Sequence, residues 1–345
     1  MLSNNPLALP RCKSLEHHYW RMIRMKISPF AYCLALMSAF SSLPNHAVAQ
    51  QYPIKPIRMI AAEAGGANDI PARLIAQAIG TKLGQQVVVV NRAGGMLAGD
   101  MLAKAAPDGY TLLFYGSSIW LLPFLQDGVT WDPVKDFAPI TLSSSAPNVL
   151  VVSPSLPVNS VQELIALAKT KPGELNYGTA SAGSGNHLAA ELFKSMTGVN
   201  VVGIKYKGAA LALNDLIAGR IQFMFPAAAS IAGHLKSGKV RALAVTTLKP
   251  STLAPSLPTV ASAGLAGYES RQVHGIFSTG GTPAAIINRL NQEIVAYLNL
   301  ADTKERFQGV GLETVGSSPE ELAATVKTDM NVLGKLIKDL GIKAE

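Results

Sequence analysis

Cysteine is nearly missing from this sequence: Cys12 and Cys33 are the only two among 345 residues. Both fall in an N-terminal stretch with the marks of a secretory signal. Arg21, Arg24 and Lys26 precede an apolar run from Ile27 to Phe40, which is followed by Pro44, Asn45 and the small-residue triplet Ala47-Val48-Ala49. The expectation is cleavage after about Ala49, the alternative being an uncleaved membrane anchor; the residues before Met22 fit an upstream start codon chosen in error. Tyr32 before Cys33 excludes a lipoprotein signal, which wants a small residue there. The remaining chain then has no cysteine, which excludes disulfide staples and calls for a core large enough to fold without them. Export without disulfides points to a bacterial periplasm.

Charge of one sign is also scarce once this segment is set aside. The whole chain is formally +8, but the first 49 residues hold five of the 30 Lys and Arg and one of the 22 Asp and Glu, leaving 25 against 21, or +4. The basic residues are scattered, which excludes a nucleic-acid surface. There is no repeat array, no low-complexity tract and no second membrane-spanning run. Aromatics are only 6% and charged residues 15%, whereas 48% are hydrophobic. A soluble globular protein with two α/β lobes fits that length and composition.

Catalytic and cofactor motifs are missing as well. No loop spells G-x-G-x-x-G. Gly233 to Val240 nearly makes a phosphate-binding loop, but Val240 replaces the required Ser or Thr, and Gly238 reads as a helix stop. Ala182 stands where a nucleophile elbow around Ser184 needs glycine. Beyond the signal there are three histidines, His187, His234 and His274, without metal spacing. The expectation is no metal, no cofactor and no catalysis, with His187 and His274 reaching a cleft as hydrogen-bonding groups, and surface or helix-cap roles as the alternative.

What is present is an alternation of strands and helices, the pattern of parallel sheets with crossover helices. Ile57 to Ala61 reads as a strand, and Ile70, Leu74, Ile75, Ala78, Ile79 and Leu83 then line one helical face that Gly84 ends. Val87 to Val90 and Tyr110 to Tyr115 are further strands, with a helix through Leu97 and Leu102 between them. Ser160 to Glu163 spells a capping box. Later units run from Leu175 to Tyr177 into a helix from about His187, from Val199 to Ile204 into Leu211 to Ala218, and from Ile221 to Phe225 into Ile231 to Leu235, before the strand Arg241 to Val245. Thr282-Pro283 and Ser318-Pro319 each open a helix, with Thr or Ser as cap. Ala138 to Val152 and Ser270 to Ser278 lack helices of their own and read as paired crossings. The expected division is 50–149 with 270–345 in one lobe and 150–269 in the other.

Two corners could carry chemistry. In Ile60 to Arg73, IAAEAGGANDIPAR, a strand meets a glycine pair and then a helix; Asn176 to Phe193, NYGTASAGSGNHLAAELF, repeats the design. A helix start exposes about four unpaired N–H groups and the positive end of the dipole, and glycines leave them unobstructed. Such a corner accepts a carboxylate, and one per lobe would grip an acid from both sides. Ordinary βα turns, with Asn68, Asp69 and Ser184 as caps, are the plain alternative.

Tyr52-Pro53-x-Lys55-Pro56-Ile57-Arg58, Ala64-Gly65-Gly66-x-x-Asp69, Asn91-Arg92, Ala106 to Leu112, Asp132 to Phe137, Pro147 to Leu150, Leu175 to Gly178, Tyr206-Lys207-Gly208 and Arg241 to Val245 together resemble the Bug receptors. These are the periplasmic substrate-binding proteins of tripartite tricarboxylate transporters. The resemblance spans the chain after the signal. It implies a two-lobed periplasmic-binding-protein fold of type II topology with two crossover segments, closing as a monomer over a small organic acid and delivering it to membrane permease subunits.

Carried over by position, the resemblance marks Ala64, Gly65, Gly66 and Asp69 in one lobe and Ser181, Ser184 and Gly185 in the other. Ser117, Ser118, Pro226 and Ala227 are weaker wall candidates. Pro226 replaces an aspartate frequent in the family, and Ala61-Ala62-Glu63 replaces an aromatic-containing P-F-P. An ionised Glu63 about 4 Å from a bound carboxylate costs about 4 kcal/mol at an effective dielectric near 20. It therefore points to solvent, pairs with a cationic or hydroxyl group of the ligand, or stays protonated and donates. A periplasmic hydrolase and a sensor partner of a signalling protein are the other functional classes.

Overall fold

The computed structural model describes residues 52–62, 64, 69–92, 94–179 and 182–343; the signal-like segment lies outside the described residues. In chain order the elements are β1 (Ile57–Ala61), α1 (Asp69–Leu83), β2 (Val87–Asn91), α2 (Gly95–Ala103), β3 (Thr111–Gly116), α3 (Ser118–Leu125), β4 (Phe137–Pro147), β5 (Val149–Val152), α4 (Val161–Thr170), β6 (Asn176–Thr179), α5 (Gly185–Thr197) and β7 (Val202–Lys205). They continue with α6 (Ala209–Ile217), β8 (Phe223–Met224), α7 (Ala228–Lys236), β9 (Arg241–Val245), β10 (Arg271–Thr279), α8 (Ala284–Leu298), α9 (Ala301–Gly309), β11 (Glu313–Thr314) and α10 (Pro319–Asp339). No helix among the described residues is long and apolar enough to cross a membrane.

The strands form two sheets, ordered β11-β4-β10-β3-β1-β2 and β7-β6-β8-β5-β9. Strand alternation decides which face each residue serves. In the six-stranded sheet Ile57, Met59, Leu112, Phe114 and Ile276 pack on the apolar sides of α1 and α8, whereas Ile60, Leu113, Tyr115, Val273 and Phe277 pack on α2, α3 and α10. The five-stranded sheet is covered likewise: Leu150, Val152, Tyr177 and Phe223 face α4 and α5, and Val149, Val151 and Met224 face α6 and α7. Each fully buried Ile, Leu or Phe contributes roughly 1.5 to 3 kcal/mol. Both faces of both sheets are thus committed, as parallel strands require.

Two connections join the sheets. β4 passes into β5 through Asn148 alone, and β9 returns to β10 over residues 246–270. They are bonded where they meet: Asn148 N–H donates to Thr246 Oγ1 at 3.0 Å, and Thr246 N–H donates to the Asn148 carbonyl at 3.0 Å. α10 lies across both lobes, with Leu322, Val326 and Ile337 in the core of the first and Leu336 in that of the second.

Local expectations needed correction at three places. Ser160 caps α4, accepting from Glu163 N–H at 3.1 Å, but Glu163 reaches back to Asn159 N–H at 2.7 Å, one residue short of a reciprocal box. Ser318 and Glu321 do form the reciprocal box at α10. Thr282 is not a cap: its hydroxyl donates to the Thr279 carbonyl at 2.7 Å, Pro283 holds the N-cap position and α8 starts at Ala284. Finally, α3, α9 and β11 have no counterpart in the sequence expectations.

Candidate functional site

Strand direction locates the site. β1, β2 and β3 are parallel, so Ala61, Asn91 and Gly116 finish along one edge of the first sheet. β10 runs antiparallel to β3 and β4 antiparallel to β10, which brings Arg271 and Pro147 to that same edge. In the second sheet β6 and β8 are parallel and β5 is antiparallel to β8, so Thr179, Pro226 and Asn148 share an edge. Pro147-Asn148-Val149 runs straight from one edge to the other. The carboxyl ends of both sheets therefore flank the same crossing, where open α/β folds hold their ligands. α2, α3, α5, α6 and α7 begin along these edges, and in none does the N-cap residue make a side-chain capping bond. Their first amides keep the positive end of the dipole available to an anion.

At the first corner Glu63, Gly65 and Gly66 lie outside the described residues, and Ala64 is exposed. Asn91 holds the two ends of the corner together. Its Nδ2 donates to the Ala62 carbonyl and to Asp69 Oδ1, each at 2.7 Å, while its Oδ1 accepts from Arg73 at 2.8 Å. Arg73 Nε also pairs with the Asp69 carboxylate at 3.0 Å. The Asp69 hydrogen bond, with the charge beside it, raises the affinity of Arg73 for its proton. Asp69 thus stands at the helix start with its carboxylate engaged by Asn91 and Arg73, an arrangement that shapes the corner. Asn91→Ala should lower stability by about 1 to 2 kcal/mol in urea denaturation, because it removes the Asn91 bonds to the Ala62 carbonyl and to the Asp69 carboxylate. Asn91→Asp should do no better, since it adds a like charge beside Asp69; full stability in either variant would refute the brace.

At the second corner Ser181 lies outside the described residues. Gly183 N–H donates to His187 Nδ1 at 3.1 Å. That bond fixes the tautomer with the proton on Nε2. Burial depresses the His187 pKa, against the opposing pull of Glu191 and with the help of Lys205 and Lys194. The ring is therefore a neutral internal brace of the loop. Ser184 is the N-cap of α5, yet its hydroxyl donates to Asn186 Oδ1 at 2.5 Å. Deeper in α5, buried Glu191 accepts from Tyr177 Oη and from Lys194 at 3.2 Å, tying the helix to β6. The corner also meets the first lobe: a Cβ on Gly183 would lie 2.5 Å from Leu125 Cδ2, and one on Gly185 would lie 3.1 Å from Gln272. Ala182 and Leu188 belong to the same apolar cluster as Ala62 and Tyr115.

Among the walls, Ser117 is half-buried and donates its N–H to the Val273 carbonyl at 2.9 Å, and Ser118 is exposed at the start of α3. Pro226 accepts from Val149 N–H at 2.9 Å, and Ala227 is the N-cap of α7. His274 is packed inside the first sheet. Its Nδ1 lies 3.1 Å from Ser144 Oγ, its ring stacks on Phe114 at 5.6 Å, and burial pushes its pKa down to about 4. Two further residues emerge here. Asn148 Oδ1 and Thr179 Oγ1 are buried and have no hydrogen-bond partner among the described residues, although buried polar atoms are nearly always paired. Both stand on the carboxyl edge of the second sheet, and Asn148 Nδ2 reaches the Gly185 carbonyl at 3.5 Å. An asparagine set immediately before the apolar run Val149 to Val152 was the available signal for the first; Thr179 had none. No group of three or more metal-ligating side chains occurs among the described residues.

Residues 71–342 match the family model described as "Tripartite tricarboxylate transporter family receptor". The chain is 33% identical over 300 residues to Protein BugT of Bordetella pertussis, covering 86% of this chain and 92% of that one. Among solved structures, R. palustris Rpa4515 with adipate superimposes with TM-score 0.67 at 35% identity, covering 85% of this chain and 99% of the other. MatC from Rhodopseudomonas palustris with bound malate gives TM-score 0.64 at 26% identity, covering 83% and 100%.

Proposed function

The chain belongs to the tripartite tricarboxylate transporter receptor family, and from that premise we propose that it is an extracytoplasmic receptor that closes over a small carboxylate-bearing metabolite and delivers it to a membrane permease. It acts in the periplasm, after loss of the segment ending near Ala49, and releases its ligand chemically unchanged. The observation that supports this most is the meeting of two carboxyl sheet edges at one crossing, with helix starts along both. A carboxylate placed there takes its hydrogen bonds from backbone amides and needs no cationic side chain. Dicarboxylates are the first ligands to test, because the solved relatives hold adipate and malate.

Native mass spectrometry of the freshly purified protein, followed by a thermal-shift panel of mono-, di- and tricarboxylates, tests the reading. A ligand specific for the folded form should add about 2.7 kcal/mol at a hundredfold excess over its Kd. Recovery of the ligand intact separates reception from hydrolysis, and a panel without any stabilising carboxylate would overturn the proposal.

Thr179 and Asn148 extend this reading to specificity. Thr179 Oγ1 is a donor suited to a carboxylate oxygen, and Asn148 Oδ1 is an acceptor suited to a hydroxyl or ammonium on the same ligand. Thr179→Val should leave the stability of the empty receptor within about 0.5 kcal/mol, since no internal bond is lost, while weakening the ligand about tenfold, the worth of one hydrogen bond. Calorimetric titration against malate or adipate decides; equal affinity in both proteins would remove the hydroxyl from recognition.

A further inference from the structure

Behind the crossing, on the α10 side, lies a cavity of about 480 Å³ lined by Leu192 and Met196 of α5, by Glu269, Arg271 and Val273, and by Thr325, Thr328, Asp329, Val332 and Leu333 of α10. The cavity is separate from the helix starts at the two corners, though Leu192 continues the helix of the second one, and the volume is that of a small-molecule site. Its apolar wall stays accessible, with Met196 38% and Val332 48% exposed. Its polar end holds one cation, Arg271, whose Nε is paired with Glu269 at 2.9 Å. Asp329 has no such partner. One carboxylate oxygen accepts from Trp120 Nε1 at 2.9 Å, and the other has no donor among the described residues. An acid with no cation bonded to it among the described residues, facing an accessible apolar wall, is complementary to a guest with a positive head and a hydrocarbon body.

We propose that this cavity is a second binding site, for a short primary alkylammonium whose head sits on the second oxygen of Asp329 and whose chain lies on Leu192, Met196, Val332 and Leu333. Such a guest touches α5, which starts at the second corner. Through Asp329 and Trp120 it also reaches α3, whose N-cap is Ser117. The site therefore contacts elements from both sides of the crossing, and by linkage its occupancy and that of the cleft alter each other to the same degree.

Proton linkage sharpens the test. Burial pushes the Asp329 carboxyl up to about 6, against the opposing effects of the Trp120 bond and of Arg271, with Glu269 adding to the rise. α3 contributes Trp120 to this group, α5 presents Leu192 and Met196, and α10 adds Thr325 and Thr328. The guest binds the ionised carboxylate, so its affinity should rise about tenfold between pH 5 and pH 7 and level off above.

The experiment uses butylammonium chloride, with 1-butanol as the neutral isostere, on the protein without cleft ligand, read by thermal shift and calorimetry. Butylammonium should stabilise the wild type, with little effect from butanol. Asp329→Asn keeps an acceptor for Trp120 and should lose the response at least tenfold; Val332→Trp, which fills the cavity from an exposed position, should lose it as well. An equal response from butanol, from Asp329→Asn or from Val332→Trp overturns the proposal. So does an affinity that does not change between pH 5 and pH 7.

Discussion

Valine at position 183 should cost the protein about 2 to 4 kcal/mol and abolish ligand binding. Gly183 has φ of +74°, a conformation that costs an ordinary L-residue about 1 to 2 kcal/mol and a β-branched one more. Its Cβ would also meet Leu125 Cδ2 at 2.5 Å, and Leu125 is only 4% exposed and cannot swing into solvent. Overpacking of that kind adds about 1 to 3 kcal/mol. The loop can relieve both strains by releasing the Gly183 N–H from His187, which dissolves the corner where α5 begins. Gly183→Asn is the control, since asparagine tolerates the left-handed region and should lose less. Urea denaturation and ligand calorimetry on the pair decide: a valine variant as stable as the asparagine one would mean that the conformation imposes no constraint.

The second large effect is a pair of opposed pH dependences. His274 has an ordinary pKa of 6.5 and a folded value of about 4, caused by burial. Between those values the unfolded chain takes a proton that the folded protein refuses, so stability falls as pH drops from 6.5 to 4. The loss amounts to about 2 to 3 kcal/mol. Asp329 acts in the other direction. Its folded pKa of about 6 lies above the ordinary 3.8, so its contribution is fully present below pH 3.8 and is lost as pH rises through 6. Discounted for partial exposure, it is about 1 to 2 kcal/mol.

In the wild type the two slopes partly cancel. His274→Gln should flatten or reverse the acid limb of the Tm profile between pH 6.5 and 4. Asp329→Asn should steepen it, and be the more stable protein at pH 8. Profiles of both variants that run parallel to the wild type would show that burial of these two groups does not govern the window.

The periodic elements were open to reading before any coordinate. α1 repeats its apolar residues at helical spacing, and β1 alternates between two cores. α3 was not, because its SIWLLPFL is apolar on every side and contains Pro123; it has no polar face to reveal a period, since it is wrapped by the sheet, α2 and α10. α9 fails in the opposite sense: of ADTKERFQG only Thr303 and Phe307 are buried. At the site, Asp69 was recognisable as an acid at a helix start. Its engagement was not, because Asn91 lies 22 residues away in sequence and arrives only through the parallel pairing of β1 with β2. His274 read as a group for the cleft, whereas stacking on Phe114 encloses it. The open valences of Asn148 and Thr179 depend on what fails to surround them, which no local pattern encodes.

The strand order of the first sheet sets a timetable for the newborn chain. β10 sits between β3 and β4, and the core on one side of it needs Leu322, Val326 and Ile337 of α10. β10 and α10 both come from the last quarter of the chain, so β1, β2 and β3 can pair early while the edge of β3 that takes β10, and the core beneath it, stay open until late in synthesis. Closing contacts across so long a sequence interval is slow. A nascent chain held open in this way remains threadable, which fits the export proposed above.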